Sequence, residues 1–219
     1  MQTFRREIAF LFLFFVISAA ISVYFYTELK AAGLATVPIH WNIMNEPDLF
    51  AKTLTAVLIG PLAILLMIVV LLSTSFRKYE KQEQRSVRFI VLLISAVLVV
   101  VNWIALSTAL RYGAERVEDF RLLHLILGLL FILVGNRFGK LRPSYWIGIR
   151  TPLTLSSEEL WNRVHRKGGR LMVFSGIFIL AGLFFLKESW FWIFYLPLFV
   201  SIILIILVIP QVEKKKMER

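Results

Sequence analysis

The side chains of this 219-residue chain best suited to chemistry are its three histidines, because imidazole can carry a proton or bind a metal ion near neutral pH. They stand at positions 40, 124 and 165. Two carboxylates follow the first of them, so one hypothesis is a metal ion held by His40 with Glu46 or Asp48. The chain has no cysteine, which excludes disulfides, thiolate nucleophiles and cysteine metal ligands.

His165 suggests a different chemistry, which is acid–base catalysis in a membrane enzyme together with Glu158 or Glu159. Two observations argue against it. The chain contains no HExxH, GxSxG or P-loop motif, and Glu159 has the spacing of a helix-capping residue. We therefore expect no enzyme activity, no metal site and no cofactor.

The elements that must position these residues are membrane spans. Hydrophobic residues make up 58% of the chain and the mean hydropathy is +0.76, whereas a soluble domain is about 45–50% apolar. A helix of about 20 apolar residues crosses a bilayer. Six apolar blocks are candidate spans, at 8–27, 54–74, 87–109, 122–136, 171–186 and 190–210. The last two are separated only by 187–189, which predicts a tight hairpin turn.

The basic residues predict the orientation of these spans. With six spans, 19 of the 25 Lys and Arg residues fall on one side of the membrane. Basic loops stay in the cytoplasm, so both termini and the loop 137–170 are predicted to be cytoplasmic. His40 and His165 then lie on opposite sides and cannot share a metal ion. The net charge of +11 reflects topology and contact with anionic lipid, and no direct binding of nucleic acid is expected.

The outer loop, residues 28–53, carries more structural signals than a simple linker. Pro38 favours extended backbone before it, and Asn45 suits a turn because Asn tolerates the left-handed region. One interpretation is a structured cap with Trp41 and Phe50 anchored at the membrane interface. The other is a loop that contacts a ligand. The residues that would sense or contact the ligand are Pro38, His40, Trp41, Asn42, Pro47 and Asp48.

The cytoplasmic loop is the second informative segment. Ser156 and Glu159 have the spacing of a capping box, which predicts a helix that begins near Ser157. Gly168-Gly169 is predicted to end it. Thr151-Pro152 is expected to form a rigid turn just upstream.

The predicted helix is amphipathic and is expected to lie in the cytoplasmic interface. Its apolar face holds Leu160, Trp161, Val164 and Gly168, and its polar face holds Glu159, Arg163, Arg166, Lys167 and Arg170. Glu159 and Arg163 form a favourable i,i+4 pair. The basic residues either associate with anionic lipid or form a docking surface for a cytoplasmic protein. His165, one turn after Trp161, either bonds a backbone carbonyl or responds to pH.

Polar residues inside the spans are few. No Asp, Glu, Lys or Arg stands in the middle of a span, which argues against a pump or an ion-coupled transporter. Three lone polar residues are Asn102, His124 and Asn136. Hydrogen bonds between helices are the simplest role for them. The alternative is a polar path through a small channel or permease.

Two segments together resemble a known family. The stretch 147–161, IGIRTPLTLSSEELW, followed by His165-Arg166 and Gly168-Gly169, closely resembles the signature of the SdpI immunity-protein family. The outer stretch 38–42, with Pro47-Asp48 and Pro61, resembles the amino-terminal domain of unknown function that members often carry. The resemblance covers roughly 10–65 and 120–210. The cytoplasmic motif residues are Gly148, Arg150, Thr151, Pro152, Thr154, Ser156, Glu159, Trp161, His165, Arg166, Gly168 and Gly169.

Two residues depart from the family pattern. Leu153 stands where relatives commonly have Trp, which weakens an aromatic anchor. Asn45 stands where they commonly have Gly and remains compatible with a turn.

The resemblance implies a bacterial plasma-membrane protein that protects its producer from a secreted peptide toxin. For some members it also implies signalling, in which the toxin-engaged membrane protein sequesters a transcriptional repressor of its own operon. The partners implied are thus the lipid bilayer, a peptide toxin and a cytoplasmic repressor.

We therefore expect an all-α polytopic membrane protein with six transmembrane helices and a cytoplasmic interfacial helix between spans four and five. The expected regions are 1–75, with two spans and the structured outer loop, 76–119, with the third span, and 120–219, with the family motif. The expected function is membrane immunity and signalling, in which the outer loop senses or excludes the toxin and the inner motif binds a regulator. A small channel or solute or lipid permease, and an orphan membrane protein of the envelope stress response, are the alternatives.

Overall fold

The computed structural model describes residues 2–42, 46–75, 81–112, 121–143, 147–184 and 191–218. The turn predicted at Asn45 and the hairpin turn predicted at 187–189 lie outside these residues. The helices are α1 (Gln2–Ala31), α2 (Thr53–Ser75), α3 (Lys81–Arg111), α4 (Arg121–Phe138), α5 (Pro152–Leu155), α6 (Glu158–Ala181), α7 (Phe191–Ile203) and α8 (Ile209–Met217). Two strands, β1 (Thr36–Trp41) and β2 (Pro47–Lys52), stand between α1 and α2.

Five helical stretches among the described residues are long and apolar enough to cross a membrane. They are Phe4–Ala31, Thr53–Ser73, Arg85–Arg111, Glu158–Phe184 and Ile193–Met217. The first and third contain predicted spans one and three, and the others overlap predicted spans two, five and six. The apolar part of α4, His124–Phe138, is shorter, so the count of six spans stays a prediction. The all-α polytopic membrane class is confirmed, with the addition of one short hairpin of strands.

The prediction of a separate interfacial helix between spans four and five is wrong in one respect. The helix begins where expected, with Ser157 as its N-cap, but it does not end at Gly168-Gly169. It continues as α6 to Ala181, so the amphipathic segment is the first half of a membrane-length helix. The reason is that these glycines are packing positions: both are buried, and Gly169 lies directly against the backbone of α4.

The chain divides into two compact units, Met1–Lys78 with Val91–Asp119, and Tyr79–Ile90 with Phe120–Arg219. In the first unit α1 packs along α2, and β1 pairs antiparallel with β2 from Thr36 opposite Lys52 to Trp41 opposite Pro47. The extended backbone predicted around Pro38 is confirmed. Val37 is fully buried in a cluster with Phe25, Leu29, Val57 and Leu106. The base of the hairpin is therefore anchored in apolar side chains of the spans.

In the second unit α6 packs against α4 and α7. Small residues permit close approach of helices in a membrane, and here glycines face each other in two pairs. A methyl group on Gly169 would lie 2.5 Å from the carbonyl oxygen of Gly135, and one on Gly176 would lie 2.6 Å from that of Gly128. Ser175 Oγ on α6 is 2.9 Å from Ser201 Oγ on α7, so a hydrogen bond joins that pair of helices as well.

Helix α7 continues without a break through a π-helical turn, Leu204–Val208, into α8. Pro210 lacks the N–H that would bond within a regular helix, and the wider turn stands directly before it. After this turn, α8 contains Glu213 and the lysines at 214–216.

Candidate functional site

The family-like motif folds as a loop held against the first half of α6. Gly148 has a positive φ of 120°, a conformation that glycine adopts at little cost. A methyl group there would lie 2.5 Å from His165 Nε2 and 2.7 Å from Trp161 Cη2. Gly148 is therefore required both by its backbone angle and by the two rings against which it packs.

His165 links this loop to its own helix. The Ile149 N–H donates to Nε2 at 2.9 Å, and Nδ1 lies 2.9 Å from the Trp161 carbonyl oxygen. The two bonds together require a neutral ring with its proton on Nδ1. The bond to a neighbouring carbonyl that the sequence suggested is present, and both nitrogens are occupied by backbone. Glu159 pairs instead with Arg163, so the acid–base pair of Glu159 with His165 is not formed.

Trp161 closes the loop from the other side. It is fully buried, it stacks on the His165 ring with 3.9 Å between centroids, and its Nε1–H donates to the Leu141 carbonyl at 2.8 Å. One side chain thus fixes the chain that leaves α4 as well as the imidazole that holds the loop. It is the central anchor of the site.

Thr151 and Thr154 form the capping box of this region. Thr154 N–H donates to Thr151 Oγ1 at 3.1 Å, Thr151 N–H donates to Thr154 Oγ1 at 3.0 Å, and Thr154 Oγ1–H donates to the Ile149 carbonyl at 2.6 Å. The rigid turn expected at Thr151-Pro152 is thus a short capped helix, α5. The capping box predicted for Ser156 and Glu159 is wrong, because the N-cap of α6 is one residue later.

Apolar contacts complete the anchoring. Ile149 is buried with Leu160, Val164 and Ile205, and Leu153 packs against that cluster. The position at which relatives commonly have Trp is therefore an apolar packing position, which Leu153 fills. The predicted apolar face of the helix is buried as expected, at Leu160, Trp161, Val164 and Gly168.

The motif residues divide by exposure. Those that hold the loop are buried: Thr154, Trp161, His165, Gly168 and Gly169. Those on its surface are Arg150, Pro152, Ser156, Glu159 and Arg166. Leu155, which lies outside the predicted set, is 45% exposed beside them. Gly148 and Thr151 are half-buried, and the second group together with Leu155 forms the exposed surface of the loop.

The basic face of α6 is smaller than predicted, because a carboxylate that the prediction overlooked occupies part of it. Glu213 on α8 is only 3% exposed. Lys167 Nζ donates to its Oε1 at 2.5 Å, and Arg163 Nη1 lies 3.8 Å from Oε2. Glu213 is a lone acidic residue before three lysines, which was the signal available in the sequence. Arg166 and Arg170 remain on the exposed face.

The outer candidate residues lie on the β1–β2 hairpin. His40 Nδ1 and Asp48 Oδ1 are 2.5 Å apart across the two strands, and both side chains are largely exposed. Asn42 accepts from the Glu46 N–H at 3.0 Å through Oδ1. Pro38 is buried, and Trp41 and Pro47 are half-buried. Glu46 therefore turns toward Asn42 while Asp48 engages His40, and no cluster of three metal-ligating side chains forms within the described parts of the chain.

The intramembrane polar residues do not share one environment. Asn102 is buried and donates through Nδ2 to Ser18 Oγ at 3.1 Å and to Ser22 Oγ at 3.3 Å, the interhelical bonding expected of a lone polar residue. His124 is buried with its ring 5.3 Å from that of Tyr195. Asn136 is exposed on the same helix as His124. These two α4 residues therefore differ in burial, and the polar path suggested for them stays a prediction.

Gly60 on α2 lies directly against the Asn102 side chain, which predicts an interaction between two substitutions. Asn102→Ala alone is expected to cost about 1 kcal/mol, because interhelical hydrogen bonds in membranes contribute roughly that much. Gly60→Ala alone is also expected to destabilise, because its methyl group displaces the amide from Ser18 and Ser22. The double variant is expected to cost less than the sum by about 1 kcal/mol. Thermal unfolding in detergent measures all four proteins, and strictly additive costs would contradict this packing.

Comparisons with known proteins match the segment that carries the motif. Residues 140–209 match the family model of the SdpI/YfhL protein family. The chain is 27% identical over 152 residues to the immunity protein SdpI of Bacillus subtilis (strain 168), a match that covers 69% of this chain and 71% of that protein. No solved structure gives a significant match. The matched segment 140–209 contains the anchored loop, α6 and its contacts with the π turn.

Proposed function

We propose, from the match of residues 140–209 to the SdpI/YfhL family model, that the protein is a bacterial membrane immunity protein that confers resistance to a secreted peptide toxin. The observation that carries the proposal is the similarity to a protein named for immunity, in a chain with five membrane-length helices. The anchored loop adds support, because the residues that build it are the motif residues themselves.

We place the toxin-facing surface on the β1–β2 hairpin. Its base is fixed in the apolar core of the spans through Val37, while His40, Asp48 and Trp41 are displayed on it. A hairpin that is anchored at its base and carries both polar and apolar side chains on its surface presents them in a fixed arrangement, which suits recognition of a peptide. In this proposal the hairpin is extracellular and both termini are cytoplasmic, as the distribution of basic residues predicts.

Survival of a sensitive bacterium tests this proposal. Expression of the chain is expected to raise survival in the presence of the peptide toxin secreted by its own producer strain. Trp41→Ala and His40→Ala are expected to reduce protection at least tenfold at equal membrane abundance. Leu49→Ala is the matched control, because Leu49 is an exposed apolar residue of the same hairpin. Undiminished protection by well-expressed Trp41→Ala and His40→Ala proteins would remove the hairpin from the mechanism.

The finer part of the proposal is that the motif loop recruits a cytoplasmic repressor protein. Buried Trp161 and His165 would hold the loop in shape, and Arg150, Pro152 and Leu155 would form the contact surface. Arginine is enriched in protein interfaces, and the exposed Leu155 adds apolar area beside it. The loop lies on the cytoplasmic side in the predicted topology, where such a regulator would be found.

Membrane recruitment of a fluorescently tagged regulator, encoded beside this gene, tests the finer part. Leu155→Ser is expected to abolish toxin-dependent recruitment while leaving the protein folded, because Leu155 is 45% exposed. Glu158→Gln is the control, since Glu158 is exposed nearby at the first turn of α6. Full recruitment by Leu155→Ser would show that the loop surface is not the docking site, and would leave the immunity proposal intact.

A further inference from the structure

A cleft of about 490 Å³ lies where α1 passes into β1 and β2 passes into α2. Its walls include Tyr26 and Leu54 from the two helices, and its floor is the backbone turn at 33–36. The lining is predominantly apolar, and its two charged residues are Lys30 and Lys52. The cleft belongs wholly to the first unit of the chain, whereas the motif loop belongs to the second.

The cleft is preformed by hydrogen bonds across its floor. Thr53 N–H donates to the Ala35 carbonyl at 3.0 Å, and Thr53 Oγ1–H donates to the Leu34 carbonyl at 2.5 Å. Gly33 adopts a left-handed φ of 73°, and the position of a side chain there has no atom within 4 Å. The turn is thus held in place from α2 while open space remains beside it.

The two lysines are available to an external anion. Both are exposed, and no carboxylate within the described ranges forms an ion pair with either of them. Lys30 Nζ lies 5.3 Å from the centre of the Tyr26 ring, one helical turn before it. This cation–π contact holds the Lys30 ammonium group at the rim of the apolar cleft.

The depth of the cleft in the membrane follows from the helices that build it. The membrane-length stretch of α1 ends at Ala31 and that of α2 begins at Thr53. Lys30 and Lys52 therefore stand at the boundary between the hydrocarbon and the headgroups, where lysine meets phosphate. The pair of cations is complementary to an anionic headgroup. The apolar wall beside them is complementary to the acyl chain attached to that headgroup.

We propose that this cleft is a binding site for one anionic phospholipid, with the phosphate between Lys30 and Lys52 and an acyl chain along Tyr26 and Leu54. A zwitterionic lipid brings an ammonium group close to the two lysines and is disfavoured. A free phosphate ion leaves the apolar wall unused. The bound lipid would tie the base of the β1–β2 hairpin to the membrane surface, and this inference does not depend on the proposed immunity function.

Photo-crosslinking with the full-length protein in phosphatidylcholine nanodiscs tests the site. Diazirine-labelled phosphatidylglycerol and diazirine-labelled phosphatidylcholine are added in separate arms, and cross-linked peptides are mapped by mass spectrometry. Phosphatidylglycerol is expected to label the peptides containing 26–36 and 52–54 in preference to phosphatidylcholine. The preference should fall about fivefold for each lysine removed, the equivalent of about 1 kcal/mol per cation.

Three variants make the outcome decisive. K30Q/K52Q is expected to lose the preference at these peptides, and K30R/K52R is expected to retain it. K214Q/K215Q, which removes two exposed lysines from α8, is the matched control and should leave it unchanged. Equal labelling by both lipids in the wild-type protein, or an undiminished preference in K30Q/K52Q, would overturn the proposal. Displacement of the lipid by glycerol phosphate alone would also overturn it, because the apolar wall would then contribute nothing.

Discussion

Replacing Gly169 with alanine is expected to destabilise the folded protein by about 1–3 kcal/mol, whereas the same change at Gly168 should leave its stability nearly unchanged. The methyl group on Gly169 would lie 2.5 Å from the backbone oxygen of Gly135, so α4 and α6 would have to separate. On Gly168 it would meet only side-chain atoms of Ile205 and Phe138, at 3.3 Å or more, and these can shift.

The neighbouring glycines form a matched pair, because both lie in the interior of α6 and both gain the same helix propensity on change to alanine. The difference between their unfolding temperatures in detergent micelles therefore isolates the contact with α4. Size-exclusion profiles after heating provide the measurement. A Gly168→Ala protein as unstable as Gly169→Ala would mean that α4 and α6 are not packed through Gly135 and Gly169.

The second large effect is expected at Trp161. Trp161→Ala should cost about 3–5 kcal/mol, the range for removing a large aromatic side chain from a packed core. The residue is fully buried, and the change removes the stack on His165 and the hydrogen bond to Leu141. Trp161→Phe retains a ring for stacking and loses the N–H donor, so its cost should be smaller, about 1–3 kcal/mol.

Limited trypsin digestion shows whether the loss is local to the motif loop. Lys140 and Arg150 are exposed at the two ends of the segment that Trp161 anchors, and neither is followed by proline, which would block trypsin. Cleavage after them should accelerate in Trp161→Ala, because the loop opens more often. Trp103→Ala is the control, since that side chain is 48% exposed and its loss should not change the cleavage. Unaltered digestion of Trp161→Ala would mean that the loop is held by other contacts.

The contact of Gly169 with α4 and the burial of Trp161 differ in how well the sequence predicts them. The burial of Trp161 and its position beside His165 follow from helical periodicity, because residues three and four apart share a face. The N-cap of α6 was predicted within one residue, and the Glu159–Arg163 pair is present with 2.6 Å between Arg163 Nη2 and Glu159 Oε1. Each of these depends on neighbours along the chain.

The packing role of Gly168-Gly169, by contrast, could not be predicted from neighbouring residues. A pair of glycines after an amphipathic stretch is a sound signal for the end of a helix. Here the helix continues, since the energy of packing against α4 outweighs the weak helix propensity of glycine. The partner glycine is 34 residues away in the sequence, and no local pattern identifies it.

The ion pairs between α6 and α8 could likewise not be predicted from neighbouring residues. The basic residues of α6 were correctly placed on one face by periodicity, but Lys167 and Arg163 turn to Glu213 on α8. Whether a charge on a helix surface meets solvent, lipid or another helix depends on which element packs beside it. The hydrogen bonds of Asn102 to α1 and the cleft at Lys30 and Lys52 are likewise products of packing.

Several features follow from local sequence: the membrane class, the long spans, the start of α6, its buried face and the motif. Hydropathy over about 20 residues and the helical period are properties of neighbouring residues, so they can be recognised without knowledge of the fold. Three other features depend on packing in three dimensions: α6 is continuous, Gly148, Trp161 and His165 hold the motif loop, and Glu213 neutralises part of the basic face. Those features arise where residues distant in the chain approach within a few ångströms, and the packing of helices, not the local sequence, sets those distances.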